Sequence, residues 1–95
     1  MKIQILNDLG LAYRAKKILF SEDMLKNMKD VKLIFQASDS SDKSKLRIDK
    51  KIYFYQIPLI REFTSQEISR ALGRRNIRLL GITDEGMAKT ILKKL

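Results

Sequence analysis

Hydrophobic residues near the start of the chain recur every three to four positions, which is the spacing of one helix face. They are Ile3, Leu6, Leu9, Ala12 and Tyr13, with polar residues between them. This pattern predicts an amphipathic helix from Lys2 to Lys17. The next residues, 18–20, form a short apolar run that favours a strand. Two acidic residues follow Ser21, which is typical of a helix start, so we expect Ser21 to cap a second helix that ends near Lys29.

Three further apolar runs predict strands. Residues 31–37 and 77–83 are rich in aliphatic and β-branched side chains and are bounded by polar residues. The run at 52–61 contains Pro58, which cannot donate to a central ladder, so we expect a short strand around Pro58 near a sheet edge. A serine-rich cluster follows the first of these runs and offers several helix N-caps, which predicts a lysine-rich helix over 41–51.

The second half of the chain carries clear helix boundaries. The segment 64–67 is a capping box, in which the Thr64 hydroxyl accepts from the Glu67 amide and the Glu67 carboxylate accepts from the Thr64 amide. This helix should run to Leu72 and stop at Gly73, because glycine readily adopts the left-handed conformation that ends many helices. A final helix is predicted after Asp84.

The order of these elements predicts the fold class. Strands that alternate with helices indicate a parallel or mixed sheet that is covered on both faces. We therefore predict a single α/β domain over residues 1–95, a three-layer α-β-α sandwich around a mixed four-stranded sheet. Loops at one edge of such a sheet collect functional groups, which directs attention to the loops near Ser21, Ser38 and Arg74.

Charge and composition narrow the function. Twenty Lys and Arg residues against eleven Asp and Glu residues give a net charge of +9, which favours anionic partners such as nucleic acid. The chain has no cysteine and no histidine, so disulfides are excluded and zinc, iron–sulfur and haem sites are not expected. The N-terminus resembles neither a signal peptide nor a membrane span. We expect a cytoplasmic protein without a cofactor or a membrane partner.

Three stretches carry a family resemblance. They read LGLAYRAKKILFSED at 9–23, FQASDSS at 35–41 and ALGRRNIRLLGITDEGMAK at 71–89. Together they resemble the bacterial YlxQ-like proteins, relatives of the ribosomal L7Ae/L30e family, over nearly the whole chain. The resemblance implies a non-catalytic RNA-binding protein. Its better-known relatives hold kink-turns, which are sharply bent RNA duplexes with tandem sheared G·A pairs.

The resemblance also implies that three segments form the RNA surface. Its residues are Lys17, Ser21, Glu22, Asp23 and Lys26 around the second helix, Ser38 and Asp39 after the buried strand, and Arg74, Arg75 and Asn76 in the loop before the last strand. The guanidinium groups of Arg74 and Arg75 can bind phosphate bidentately or stack on unpaired bases. Arg78 is expected inside the last strand.

Two positions depart from the family pattern. Lys16 and Ser21 stand where the pattern has glycine, which would allow the backbone to approach a phosphate or a base closely. A side chain at either position is expected to restrict that approach. Glu22 and Asp23 repel phosphate unless they accept hydrogen bonds from base amino groups.

Three other groups of residues could bind a ligand, but each is better explained by a role in the fold. Residues 53–55 are aromatic and can form a stacking platform, but the apolar residues that follow favour core packing. The cations of the lysine-rich helix are spread around its circumference, which favours a solvated helix. Asp39, Asp42 and Asp49 can hold Mg²⁺, but their serine- and lysine-rich setting favours helix capping and surface pairing.

The sequence therefore predicts a monomeric, non-catalytic protein that binds structured RNA, kink-turn-like or ribosomal, through a basic loop edge. The alternative is a protein-interaction module of the translation or transcription machinery, with its basic face against an acidic protein. A Mg²⁺-dependent enzyme is a more distant third possibility.

Overall fold

The computed structural model describes residues 2–95, and its order of elements agrees with the predicted one. The helices are α1 (Lys2–Arg14), α2 (Ser21–Lys26), α3 (Asp42–Tyr55), α4 (Ser65–Leu72) and α5 (Glu85–Leu92), with a short 3₁₀ helix at Met28–Asp30. The strands are β1 (Ile18–Phe20), β2 (Leu33–Gln36), β3 (Leu59–Ile60) and β4 (Leu79–Ile82).

The four strands form one mixed sheet in the order β1-β4-β2-β3. Strand β4 is antiparallel to both β1 and β2, whereas β3 is parallel to β2 and lies at an edge, directly after Pro58. The carboxyl ends of β1, β2 and β3 therefore lie beside the amino end of β4. We call this end of the sheet the loop end.

Helices cover both faces of the sheet, which confirms the α-β-α sandwich. Helices α1, α4 and α5 pack on one face around Phe35 and Leu80. The other face carries α2, the 3₁₀ helix and α3, which pack through Met24, Met28 and Ile48. Side chains alternate between these layers along each strand, because successive residues of a strand point to opposite faces.

Local capping explains where several helices begin and end. The capping box at Thr64 and Glu67 is present as predicted, and Gly73 ends α4 in the left-handed conformation with φ 66°. The Asp84 side chain accepts from the Met87 amide at the start of α5. Ser41 caps α3 by accepting from the Ser44 amide. Each of these contacts joins residues that are near in sequence.

The start of α2 differs from the prediction. Phe20 occupies the N-cap position, and Ser21 is the first helical residue, with φ 34°. The chain passes directly from β1 into α2, so no residue is left to cap the helix with a side chain. The helix ends at Lys26, and the 3₁₀ turn replaces its predicted last residues.

The prediction that the aromatic residues 53–55 pack in the core is wrong. Helix α3 continues through them to Tyr55, and Gln56 ends it with φ 58°. Ile48 is buried and Ile52 half-buried against the sheet, which directs the aromatic side chains outward. Tyr53 is 84% exposed and Phe54 77% exposed.

The helices are short. Among residues 2–95 the longest, α3, has 14 residues. Within residues 2–95, no helix has both the length and the apolar character that a bilayer crossing requires.

Candidate nucleic-acid interface

The loop end of the sheet brings the three predicted segments together. Phe20, at the end of β1, pairs with Leu80, and Gln36, at the end of β2, pairs with Leu79. Ser21 follows β1, Ser38 follows β2, and the loop 73–76 leads into β4. The register thus places these segments side by side, although they are distant in sequence.

Arg74 is held in place by two aromatic side chains. Its guanidinium carbon lies 4.7 Å from the centre of the Phe20 ring and 5.8 Å from that of Tyr13. Its Nη1 also donates to the Tyr13 hydroxyl at 3.3 Å, and the two rings meet edge to face at 5.7 Å. A cation over an aromatic face is attracted by the ring quadrupole, so Arg74 has a preferred position over Phe20 while it remains exposed.

The loop that carries Arg74 has a defined backbone. The Arg74 amide donates to the Ser69 carbonyl, and the Ile77 amide donates to the buried Ser69 hydroxyl at 2.9 Å. Asn76 adopts φ 58°, which asparagine tolerates better than most residues. The exposed Arg75 and Asn76 line a shallow groove of about 410 Å³ against α4.

A second concave surface lies between α2, α3 and the loop end, and we call it the sheet-end cleft. It has a volume of about 280 Å³ and is lined by Ser21, Glu22, Gln36, Ser40, Arg47 and Arg78, among others. Arg78 lies just before β4 rather than inside it. Among residues 2–95, neither Arg47, Arg74, Arg75 nor Arg78 forms a salt bridge. Their positive charge is therefore available to an anionic ligand.

The second predicted segment is tied to α4. The Ser38 amide donates to the Phe63 carbonyl at 2.8 Å. Asp39 accepts from the Ser65 amide at 2.9 Å and from the Ser65 hydroxyl at 3.0 Å. These two hydrogen bonds lower the pKa of Asp39 below its ordinary value. Asp39 thus orients the loop, in agreement with its predicted capping role.

Besides Ser38 and Asp39, three predicted residues lie outside both grooves. Lys17, Asp23 and Lys26 are exposed, but they line neither the sheet-end cleft nor the groove beside Arg75. The Lys17 carbonyl accepts from the Thr83 amide at 2.9 Å, which places Lys17 at the opposite end of β1 from Ser21. Lys17 therefore lies apart from the loop-end residues, whereas Asp23 and Lys26 lie in α2, which begins there, without lining either groove.

Several supporting residues were missed by the sequence analysis. Phe20, Tyr13 and Ser69 support Arg74 and its loop, but nothing near them in sequence indicates this. Arg61 donates to the Gln36 side chain at 2.7 Å and pairs with Asp49 at 2.8 Å. That pair fastens α3 to the sheet, and it gives Asp49 the surface pairing that its setting predicted.

Sequence similarity to two named proteins shows the family of this chain. The chain is 33% identical over 88 residues to the RNA-binding protein YlxQ of Enterococcus faecium, a match that covers 88% of this chain and 84% of that protein. The chain belongs to the YlxQ family. The RNA-binding protein YlxQ of Bacillus subtilis (strain 168) is 27% identical over 90 residues, covering 92% of this chain and 90% of that one. No protein-family model matches the sequence.

A solved structure shares the fold of this YlxQ-family chain. It is a protein of unknown function from Bacillus halodurans, with a TM-score of 0.85 and 29% sequence identity. The match covers 94% of this chain and 93% of that one. The α-β-α arrangement therefore recurs in an independently determined structure.

Both departures from the YlxQ-like glycine pattern lie at positive φ. Lys16 has φ 59° and Ser21 has φ 34°. At Lys16 the cause is helix termination: the Lys16 amide donates to the Tyr13 carbonyl and the Lys17 amide to the Ala12 carbonyl, the two bonds of a Schellman motif. The side chain of Lys16 therefore affects the end of α1, whereas Ser21 lines the sheet-end cleft.

A glycine at Lys16 is expected to stabilise the protein. A non-glycine residue in the left-handed region destabilises the folded state by about 1 to 2 kcal/mol. Glycine removes this strain, but it also makes the unfolded chain more flexible, which offsets about 0.4 to 1 kcal/mol of the gain. Lys16→Gly should therefore raise the free energy of unfolding by about 0.5 to 1 kcal/mol in urea denaturation. Lys50→Gly, in the middle of α3, is the matched control and should lower it by about 1 kcal/mol. An equal loss of unfolding free energy in both variants would contradict the left-handed conformation of Lys16.

Proposed function

We propose that this chain binds structured RNA, of the kink-turn type or within ribosomal RNA, and that the loop end of the sheet is its contact surface. The observation that carries the proposal is Arg74, held over Phe20 at the loop end, where among residues 2–95 neither Arg74 nor Arg75 nor Arg78 forms a salt bridge. The names of the two YlxQ relatives support an RNA ligand.

The chemistry of the surface suits a bent or unpaired RNA better than a regular duplex. A-form RNA has a deep, narrow major groove that side chains cannot enter, so proteins read its shape, its backbone and its unpaired bases. Arg75 and Arg78, each of which lines one of the two loop-end grooves, would hold phosphates. The exposed face of the Arg74 guanidinium would stack on an unpaired base or bind a phosphate bidentately.

The acidic residue in the cleft has a compatible role. Glu22 lines the sheet-end cleft together with Arg47 and Arg78. A carboxylate repels phosphate, but it accepts hydrogen bonds from the amino groups of guanine, adenine or cytosine. Glu22 would therefore favour an exposed base edge in the cleft and disfavour a phosphate there. In this way it would select an RNA whose bend or unpaired region turns a base towards the cleft.

A salt titration tests the proposal. Kink-turn RNA, a plain RNA hairpin and single-stranded RNA should be titrated by fluorescence anisotropy between about 50 and 300 mM salt. For about four phosphate contacts, log K should fall with log salt with a slope of magnitude roughly 3 to 4. The kink-turn RNA should bind most tightly at each salt concentration.

A polyglutamate chain of similar charge is the control ligand. It should bind more weakly than kink-turn RNA, because it lacks the fixed shape that the loop end is proposed to recognise. Equal affinity for the three RNAs, or binding of polyglutamate as tight as that of RNA, would overturn the proposal.

A further inference from the structure

The outer face of α3 carries an exposed row of cations that ends in aromatic rings. Lys43, Arg47, Lys50 and Phe54 occupy positions spaced by four, three and four residues, so they lie on one helix face. A groove of about 630 Å³ runs along this face, which we call the α3 groove. Its walls include Lys43, Leu46, Arg47, Lys50, Phe54 and Tyr55.

The apolar members of the α3 groove are unusually accessible. Leu46 is 56% exposed and Phe54 is 77% exposed. Phe54 and Tyr55 meet edge to face, with ring centres 4.9 Å apart and planes at 81°. Mutual contact restricts the two rings while a large part of each stays open to solvent. Such a pair can accept a planar ligand at little further cost in side-chain entropy.

Arg47 connects the α3 groove to the loop end. It lines both the α3 groove and the sheet-end cleft. Lys43 and Lys50 continue the positive charge on either side of Arg47, and within residues 2–95 neither forms a salt bridge. A polyanion that leaves the cleft therefore meets an uninterrupted path of cations along α3.

We propose that the α3 groove binds a single-stranded segment that flanks the structured RNA, with its bases stacked on Phe54 and Tyr55. Lys43, Arg47 and Lys50 would hold the phosphates of this segment. This combination of a cationic track and aromatic platforms is the general chemistry of single-strand binding, and it tolerates any base sequence. The inference rests on the function proposed above, since it extends the same ligand.

The geometry sets the length of the segment. Arg47 and Phe54 are seven residues apart in α3, which corresponds to about 10 Å along the helix axis. At about 3.4 Å per nucleotide in a stacked strand, this distance requires about three nucleotides, and more if the strand is less stacked.

The spacing of cations along the row also argues against a bilayer, because a membrane-surface helix presents a broad apolar face rather than charges between its apolar residues.

The test compares kink-turn RNA with and without an unpaired tail of six uridines, placed on either strand end, by fluorescence anisotropy. For the unmodified protein, one of the two tails should tighten binding by about fivefold or more. Phe54→Ala should remove this gain and leave the affinity for tailless RNA unchanged. Phe54→Tyr should keep the gain, since it keeps the ring. Ile3→Ala removes an exposed apolar side chain of α1 and is the control, with no effect expected on either RNA.

The outcomes separate this inference from the function on which it rests. If neither tail tightens binding while tailless kink-turn RNA is still preferred over a plain hairpin, the inference is wrong and the proposed function stands. If the unmodified protein binds neither RNA, both are wrong. Equal loss for tailed and tailless RNA in Phe54→Ala also overturns the inference. So does Phe54-dependent binding to phosphatidylglycerol vesicles without any effect of the tail, which would assign the groove to a membrane surface.

Discussion

Arg74→Ala is expected to weaken the binding of kink-turn RNA by about 1 to 3 kcal/mol, or roughly 5- to 150-fold. The expectation follows from the position of the guanidinium, which already lies over Phe20 and contacts the Tyr13 hydroxyl. A side chain that is ordered before binding loses little entropy on binding, so more of its interaction free energy appears as affinity. Anisotropy titrations at fixed salt measure the change.

Three further variants distinguish a positioned guanidinium from simple charge. Arg74→Lys keeps the charge but loses the planar group, and it should restore little affinity. Phe20→Leu keeps apolar volume but removes the ring beneath Arg74, and it should reproduce part of the loss. Arg14→Ala, an exposed cation that lines neither loop-end groove, should have a small effect. Full affinity in Arg74→Lys would show that a point charge suffices.

Gly81→Val is expected to destabilise the fold by about 3 kcal/mol, although valine is a better strand former than glycine. Gly81 lies in β4 beneath α2 and the segment that follows it. A Cβ at this position would lie 2.8 Å from Met24 Cγ and 2.8 Å from Val31 Cγ1. Since folded domains are stable by only about 5 to 15 kcal/mol, such a loss should be plain in thermal or urea unfolding.

A double-mutant cycle tests the cause of that loss. Gly81→Ala alone should cost about 1 to 2 kcal/mol, because the Cβ displaces Met24 and Val31. In a Val31→Ala background the same change should cost about 1 kcal/mol less, since the truncated side chain makes room for the new methyl group. Strictly additive effects would contradict crowding as the cause. Unchanged or increased stability in Gly81→Ala would contradict the packing of α2 against β4.

The interface could be predicted from the sequence only in part. The segments after β1 and β2 and before β4 were found from the predicted order of elements and from the family resemblance, and the register of the sheet does bring Ser21, Ser38 and Arg74 to one end. Lys17 and Lys26 were assigned with them through the same resemblance. The structure places Lys17 at the opposite end of β1 from Ser21, because the chain enters β1 at one end of the sheet and leaves it at the other.

The burial of the aromatic residues 53–55 was predicted wrongly. An apolar run normally indicates burial, and 52–57 contains three aromatic and two isoleucine residues. Only the isoleucines face the sheet, because α3 extends through the run and turns the rings away from it. The run could have continued α3 or started the next strand. Which of the two occurs depends on how α3 packs against the sheet, and that packing involves residues distant in sequence.

Elements with local signals can be read from the amino-acid sequence alone. The capping box at Thr64, the left-handed stop at Gly73 and the cap at Asp84 each join residues within one helical turn, so they act before any tertiary contact forms. The position of Arg74 on Phe20 and the lack of room for a side chain at Gly81 follow from the packing of the folded chain. So does the position of Arg47, which lines both the cleft and the α3 groove. These features depend on the meeting of segments that are distant in the chain, and their relative positions are set by the packing of the helices on the sheet.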